Sequence, residues 1–163
     1  MAVERRRYCT HYVKNEQFDY EKGLGEGGKP INHTAGNQFH RRRVRPGDYV
    51  YDVTLKDGQL FLIGRMQVEK IVSYREAEKL LRYEPYPAKE HLLARRGTGT
   101  PQHFDLEIPR ALARRLRFRT PEGGIRPMQF DAKGRPDRQT LRVVRELTPV
   151  AARHLERLLA MKV

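Results

Sequence analysis

Asn32-His33-Thr34-Ala35-Gly36-Asn37-Gln38-Phe39 opens the stretch that decides the fold. His40-Arg41-Arg42-Arg43-Val44-Arg45 and Pro46-Gly47-Asp48 follow it. Two apolar runs come next, residues 49–55 and 60–72, joined through Lys56-Asp57-Gly58-Gln59. Asp-Gly between such runs predicts a tight hairpin, because glycine accepts the positive φ that the turn demands. The second run is long for one strand, so Gly64 is expected to mark a bend or bulge. A short polar loop, a positive cluster and a rigid hairpin thus follow in order. That order suits a protein that grips a nucleic-acid backbone while a loop inspects something small and polar.

On the N-terminal side, residues 7–13 alternate and are rich in strand formers, which predicts a first strand. Gly23, Gly25, Gly27 and Gly28, with Pro30 after them, mark a loop. It is not a phosphate loop, since no Gly-Lys-Ser/Thr follows. Residues 34–42 read as a short helix or turn. Beyond the hairpin, Ser73-Tyr74-Arg75-Glu76 is a capping box that starts a helix running to about Arg82. Residues 83–103 carry Pro85, Pro87, Gly97, Gly99 and Pro101 and read as one long irregular loop. Pro109 suits the first turn of a short helix to Leu116. Residues 117–119, 127–130 and 140–147 read as strands. Thr148-Pro149 starts a final helix with Ala152, Leu155, Leu158 and Leu159 on its apolar face. The expectation is an α+β protein forming a single domain over residues 1–163. Its centre would be a small, mostly antiparallel β-barrel with short peripheral helices.

Lys plus Arg number 33 against 20 for Asp plus Glu, a formal charge of +13. A field that strong attracts polyanions without choosing a sequence, and arginine adds a planar fork for phosphate and a face for stacking on bases. Nucleic acid is therefore the expected partner. Cys9 is the only cysteine, so no intrachain disulfide forms and a reducing cytoplasm fits. Residues 1–7 are basic with no apolar run after them, unlike a secretory signal. No run is long enough to span a bilayer, and no membrane partner is expected.

Asn32, His33, Thr34 and Asn37 are short and polar, and could read a base edge through paired donors and acceptors. Tyr8, Tyr12, Phe39 and Tyr51 could stack on that base. The competing reading makes the polar loop a scaffold for its own backbone and places Tyr51 in the core. Arg41, Arg42, Arg43 and Arg45 would hold flanking phosphates, with Arg95 and Arg96 as a second clamp. The basic zone of Arg114, Arg115, Arg117 and Arg119 reads as surface. The six histidines sit at no metal-ligand spacing on one element, so no metal and no cofactor are expected. Cys9 reads as a small buried hydrophobe.

Several of these features together resemble the PUA-like superfamily, most nearly its EVE branch. They are Tyr8 on the first strand, the turn at Asn37, the basic residues, Pro46-Gly47-Asp48, and the return strand Leu62-Ile63-Gly64-Arg65-Met66-Gln67-Val68. The resemblance covers about half the chain. It implies a small barrel that accepts a flipped, often modified base, as in the related YTH and SRA domains. EVE and YTH pockets typically use Trp in the cage, and this chain has none, so Tyr and Phe would replace it. A separate effector protein would then act on what the module binds. Through the ASCH members of the superfamily, the resemblance also implies an alternative, a ribonuclease or nucleoside-processing enzyme with His33 and either Lys14 or Tyr12 as acid and base. A third reading is a basic RNA-binding protein with no base pocket.

Overall fold

The computed structural model describes residues 5–162. Among them nine strands form: β1 (Tyr8–Tyr12), β2 (His33–Gly36), β3 (Tyr49–Lys56), β4 (Gln59–Ser73), β5 (Glu90–Ala94), β6 (Glu107–Ile108), β7 (Arg117–Arg119), β8 (Ile125–Pro127) and β9 (Arg145–Leu147). The helices are α1 (Asn15–Gly23), α2 (Tyr74–Leu81), α3 (Arg110–Ala113), α4 (Arg138–Leu141) and α5 (Pro149–Met161).

The hairpin β3–β4 is the centre of the molecule. Asp57 and Gly58 take φ values of 52° and 77° at its tip, the left-handed pair that a tight primed turn requires. Register passes from Asp52 opposite Gly64 to Val53 opposite Leu62, which leaves Ile63 as the extra residue of a bulge beside Gly64. A second irregularity lies between Val68 and Lys70. Around it β4 changes partner, pairing β3 as far as Gln67 and β5 from Val68 onward. One residue run thereby joins both halves of a single sheet ordered β2-β5-β4-β3-β1-β9-β7-β8, with β6 beside β4. All ladders are antiparallel except β1–β3.

The α+β class with mostly antiparallel pairing stands, but the sheet is open where a closed barrel was expected. Its ends are β2 and β8, and no ladder joins them among the described residues. β8 is three exposed residues ending at Pro127, which has no N–H to offer a further strand. Several local expectations also shift. The region 83–103 is not one irregular loop, since β5 lies inside it and pairs with both β2 and β4. Residues 34–42 begin as strand β2 and continue into a single turn, closed by Arg42 N–H to Gln38 O at 2.8 Å and ended by Arg43 at φ 59°. The strand expected over 140–147 is α4 followed by β9, and the one expected over 127–130 ends at Pro127. The helix after Pro109 stops at Ala113. The start of α1 has no side-chain cap to announce it.

Capping sets the other helices. Ser73 Oγ accepts from Glu76 N–H at the start of α2, and Thr148 Oγ1 from Ala151 N–H at the start of α5. The apolar face of α5 buries Ala152, Leu155 and Leu159 in a core with Tyr51, Val53, Leu60, Leu62 and Phe118. Cys9, Phe39, Val50, Met66, Val68 and Leu92 form a second core on the other face of the sheet. Side chains alternate along a strand, so Tyr51 faces α5 while its neighbours Val50 and Asp52 face the opposite side.

Candidate nucleic-acid interface

On that opposite side lies a cleft of about 590 Å³. One wall is the end of β1 and the start of α1, with His11, Tyr12, Lys14, Asn15 and Gln17. A second is the turn Gly36-Asn37-Gln38 after β2, and a third is Tyr86-Pro87-Ala88. Arg138, Arg142 and Val144, from α4 and the segment after it, complete the rim.

The second and third walls are tied to each other. Asn37 Oδ1 accepts Lys89 N–H at 2.9 Å, and Glu90 Oε1 accepts the N–H groups of Phe39 and His40 at 2.8 and 3.1 Å. Glu90 thereby satisfies donors that a single unsupported turn would leave open.

His11 stands at the inner end of the cleft. Its Nδ1 is 3.0 Å from Asp52 Oδ1 and 3.2 Å from Thr34 Oγ1. Parallel pairing of β1 with β3 sets His11 beside Asp52. Asp52 is only 2% exposed, so its carboxylate is matched by the ring and not by water. Gly36 has to be glycine here, because a Cβ on it would come within 2.8 Å of Phe39 Cζ and 2.9 Å of His11 Nε2.

Behind this pair the interior stays polar. Gln17 Nε2 donates to Glu21 Oε1 at 3.3 Å. Burial, and after it the charge of Asp52, pushes the Glu21 carboxyl up to about 8, while the bond from Gln17 works against the rise. His33 lies in a separate small cavity with Tyr83 and Glu21. Its Nδ1 is 3.1 Å from Asn32 Oδ1 and 3.0 Å from Tyr83 Oη. Burial, then the neighbouring His91, pulls the His33 pKa down to about 4.

The arginine-rich turn is held by its backbone. Arg7 donates to the carbonyls of Arg42 and Arg43 at 3.3 and 3.1 Å, and Asp48 accepts Arg7 N–H and Arg45 N–H at 3.1 and 2.9 Å. The side chains of Arg41 and Arg43 are exposed, and no ion pair engages Arg41, Arg42 or Arg43 among the described residues. Burial, followed by the charges of Arg126 and Arg42, lowers the Arg145 pKa, which places the turn within electrostatic reach of β9. Lys14, Arg138 and Arg142 on the cleft rim also lack ion pairs among the described residues.

The sheet divides the sequence-predicted base-binding set. Asn37 lines the cleft, Thr34 supports it through His11, and Tyr12 borders it while packing against the α5 core. Asn32 and His33 line the smaller cavity. Phe39 and Tyr51 are 0% exposed and offer no stacking face. Phe39 packs edge-on against His11, and Tyr51 donates to Glu156 Oε1 at 2.7 Å on the α5 side. Tyr8 stacks on Tyr49 at 5.5 Å and packs against the α5 core, across the sheet from the cleft. Arg45 is exposed near Asp48, and Arg95 and Arg96 are exposed in the turn after β5, away from the cleft lining. His33, the residue named for the enzymatic alternative, lies in the smaller cavity with Nε2 enclosed, whereas Lys14 and Tyr12 border the main cleft.

Sequence reasoning missed His11, Asp52, Gln38, Tyr86, Arg138 and Arg142. Asp52 carried a readable signal, a carboxylate inside an apolar strand on the face of Val50. Cys9 is a core side chain whose thiol is pushed up to about 12, chiefly by burial, so it is not a nucleophile. Among the described residues no group of three His, Cys, Asp or Glu could hold a metal ion, and no helix is long and apolar enough to cross a membrane.

No family model matches the sequence, and no curated protein matches it either. Among solved structures, the chain is similar to a mutant of ZmASCH from Zymomonas mobilis, at 12% identity and a TM-score of 0.34. The likeness spans 62% of this chain and 76% of that one. At that TM-score nothing is carried from one protein to the other.

Proposed function

We propose that this protein is a nucleic-acid-binding module that draws one flipped, modified base of DNA or RNA into the cleft and holds the adjoining phosphates on its basic rim. The observation that carries the reading is the 590 Å³ cleft rimmed by Lys14, Arg138 and Arg142, three cations with no ion pair among the described residues. A pocket of that volume suits one nucleotide. Unpaired cations at its mouth suit phosphate, and the exposed Arg41 and Arg43 extend the positive surface beyond it. Tyr86 supplies aromatic surface in one wall. Flipping costs a few kcal/mol, least for a damaged or unpaired base, and this itself favours altered sites. The resemblance of residues 32–72 to PUA-like domains points the same way, with the sheet opened instead of closed. A separate effector protein would act on the bound nucleic acid.

The test is binding to short single- and double-stranded DNA and RNA, unmodified or carrying modified cytosine or adenine, at several salt concentrations. A Arg138→Ala/Arg142→Ala double variant is expected to lower affinity on the order of tenfold at low salt. It should also flatten the log K against log salt slope by about 0.7–0.9 per lost phosphate contact. An unchanged slope would place the nucleic acid elsewhere. Wild-type binding that shows no preference among bases and vanishes with salt would leave a basic surface acting alone.

A further inference from the structure

We infer that the nucleic acid held by this protein continues from the cleft rim to a second phosphate site, formed by Arg145 on β9, Arg126 on β8 and Arg42 in the turn before β3. The ligand is then a chain of several nucleotides and not a free nucleotide. The inference goes beyond the one-nucleotide cleft and rests on it for the position of the neighbouring phosphate.

The path follows the main chain. Arg142 stands on the cleft rim just after α4, and Arg145 follows three residues later on β9. Three residues reach about 11 Å at full extension. A strand advances about 3.4 Å per nucleotide along a duplex. The two arginines therefore serve phosphates only a few nucleotides apart. Arg145 Nε donates to Thr140 O at 2.6 Å, which ties its guanidinium to the end of α4. β9 pairs with β7, and β7 pairs with β8, which carries the exposed Arg126. The turn bearing Arg42 is held in place by Arg7, whose side chain donates to the Arg42 carbonyl at 3.3 Å.

These three cations come together without an anion. Burial, then the charges of Arg126 and Arg42, lowers the Arg145 pKa, and no carboxylate charge offsets them. Glu146, the carboxylate next in the chain, is already shared by Arg5 at 2.6 Å, Arg7 at 3.4 Å and Arg119 at 3.5 Å. Among the described residues no ion pair engages Arg42, Arg126 or Arg145. Arg42 and Arg145 are half-buried, where a charge is screened less than in open solvent. A guanidinium keeps its proton in a protein, so the repulsion is not relieved by titration. An anion between the three relieves it. A phosphodiester suits, because its oxygens accept from the planar fork and the next phosphate follows along the chain.

The probes are thymidine 5′-monophosphate and single-stranded oligothymidylates of two, four and eight nucleotides, with the uridine series beside them, titrated at low salt. Affinity is expected to rise about tenfold from the monophosphate to the tetramer. Arg126→Ala/Arg145→Ala should lower tetramer and octamer affinity about tenfold and leave the monophosphate unchanged. It should also flatten the log K against log salt slope by about 0.7 per lost contact. Arg126→Ala decides the matter by itself where Arg145→Ala fails to fold, since that side chain is exposed on β8. Affinity that does not rise with length overturns the second site. So does octamer binding that Arg138→Ala/Arg142→Ala weakens while Arg126→Ala/Arg145→Ala leaves it unchanged, and the cleft reading then stands. Octamer binding that depends on Arg126 and Arg145 alone supports the second site and overturns the nucleotide reading of the cleft. No binding at any length overturns both.

Discussion

The two faces of the central hairpin are made from the same strands and have opposite chemistry. Toward α5, Tyr51, Leu60, Leu62 and Phe118 meet Leu155 and Leu159, and Tyr51 Oη has its own acceptor in Glu156. Toward α1 and β2, the hairpin and its neighbours bury His11, Thr34, Asp52, Thr54, Gln17 and Glu21. Burying polar groups costs free energy unless each finds a partner, whereas apolar packing stabilises wherever it occurs. One face therefore holds the fold, and the other keeps unpaired atoms such as Gln38 Oε1 beside an open cleft. The apolar core under α5 and the candidate site are separated by the alternation of side chains along β3.

The largest break in that comparison comes from the apolar face. Phe118→Ala is expected to cost about 3–5 kcal/mol in urea unfolding. The folded fraction should keep its order of base preference. A loss of preference with little loss of stability would show that the two faces are not separate. The polar face makes a different prediction, with pH as the variable. Glu21 has a folded pKa of about 8 against an ordinary 4.5, so the unfolded chain binds fewer protons across that interval and stability falls as pH rises through it. His33 has a folded pKa of about 4 against an ordinary 6.5, so its contribution rises with pH over that lower range. The two oppose each other up to pH 6.5, and from there to 8 the fall due to Glu21 stands alone. The expected loss over that last interval is about 2 kcal/mol, and Glu21→Gln should abolish it. Urea midpoints across the pH range measure it, and a flat wild-type profile would mean that Glu21 reaches water.

How far the sequence could be read depended on how local the cause was. Asp57-Gly58, the bulge beside Gly64, the Ser73 and Thr148 caps and the apolar stripe of α5 each act within a few residues, and each stands where the sequence put it. β5 was hidden because Glu90-His91-Leu92-Leu93-Ala94 is buried against strands on both sides and shows no alternation, and because prolines precede it. The cleft was hidden for a longer-range reason. His11 and Asp52 are 41 residues apart and meet only through a parallel register that no local pattern announces. Arg138 and Arg142 sit on and just after a four-residue helix, where periodicity has no room to show. The loop 32–39 reads as one polar unit in the sequence, but the sheet sends its side chains to three destinations: Asn37 to the cleft, His33 to the smaller cavity and Phe39 to the core.

Asn37 gives the smallest effect and the finest division between the two faces. Its Oδ1 accepts Lys89 N–H at 2.9 Å, so the atom best placed to read a base is occupied in holding two walls of the cleft together. Asn37→Ala should cost about 1 kcal/mol and speed exchange of the Lys89 amide proton. The informative variant is Asn37→Asp. A carboxylate still accepts the Lys89 N–H but can donate nothing to a ligand. The added charge weakens phosphate binding in either case, so the comparison is made at high salt, where that repulsion is screened. If Asn37 is a tie between walls, Asp there restores both the slow exchange and the binding that Ala loses, and if its amide N–H groups contact the base, Asp restores the exchange alone. The pair of substitutions thus separates a residue that shapes the cleft from one that reads its contents.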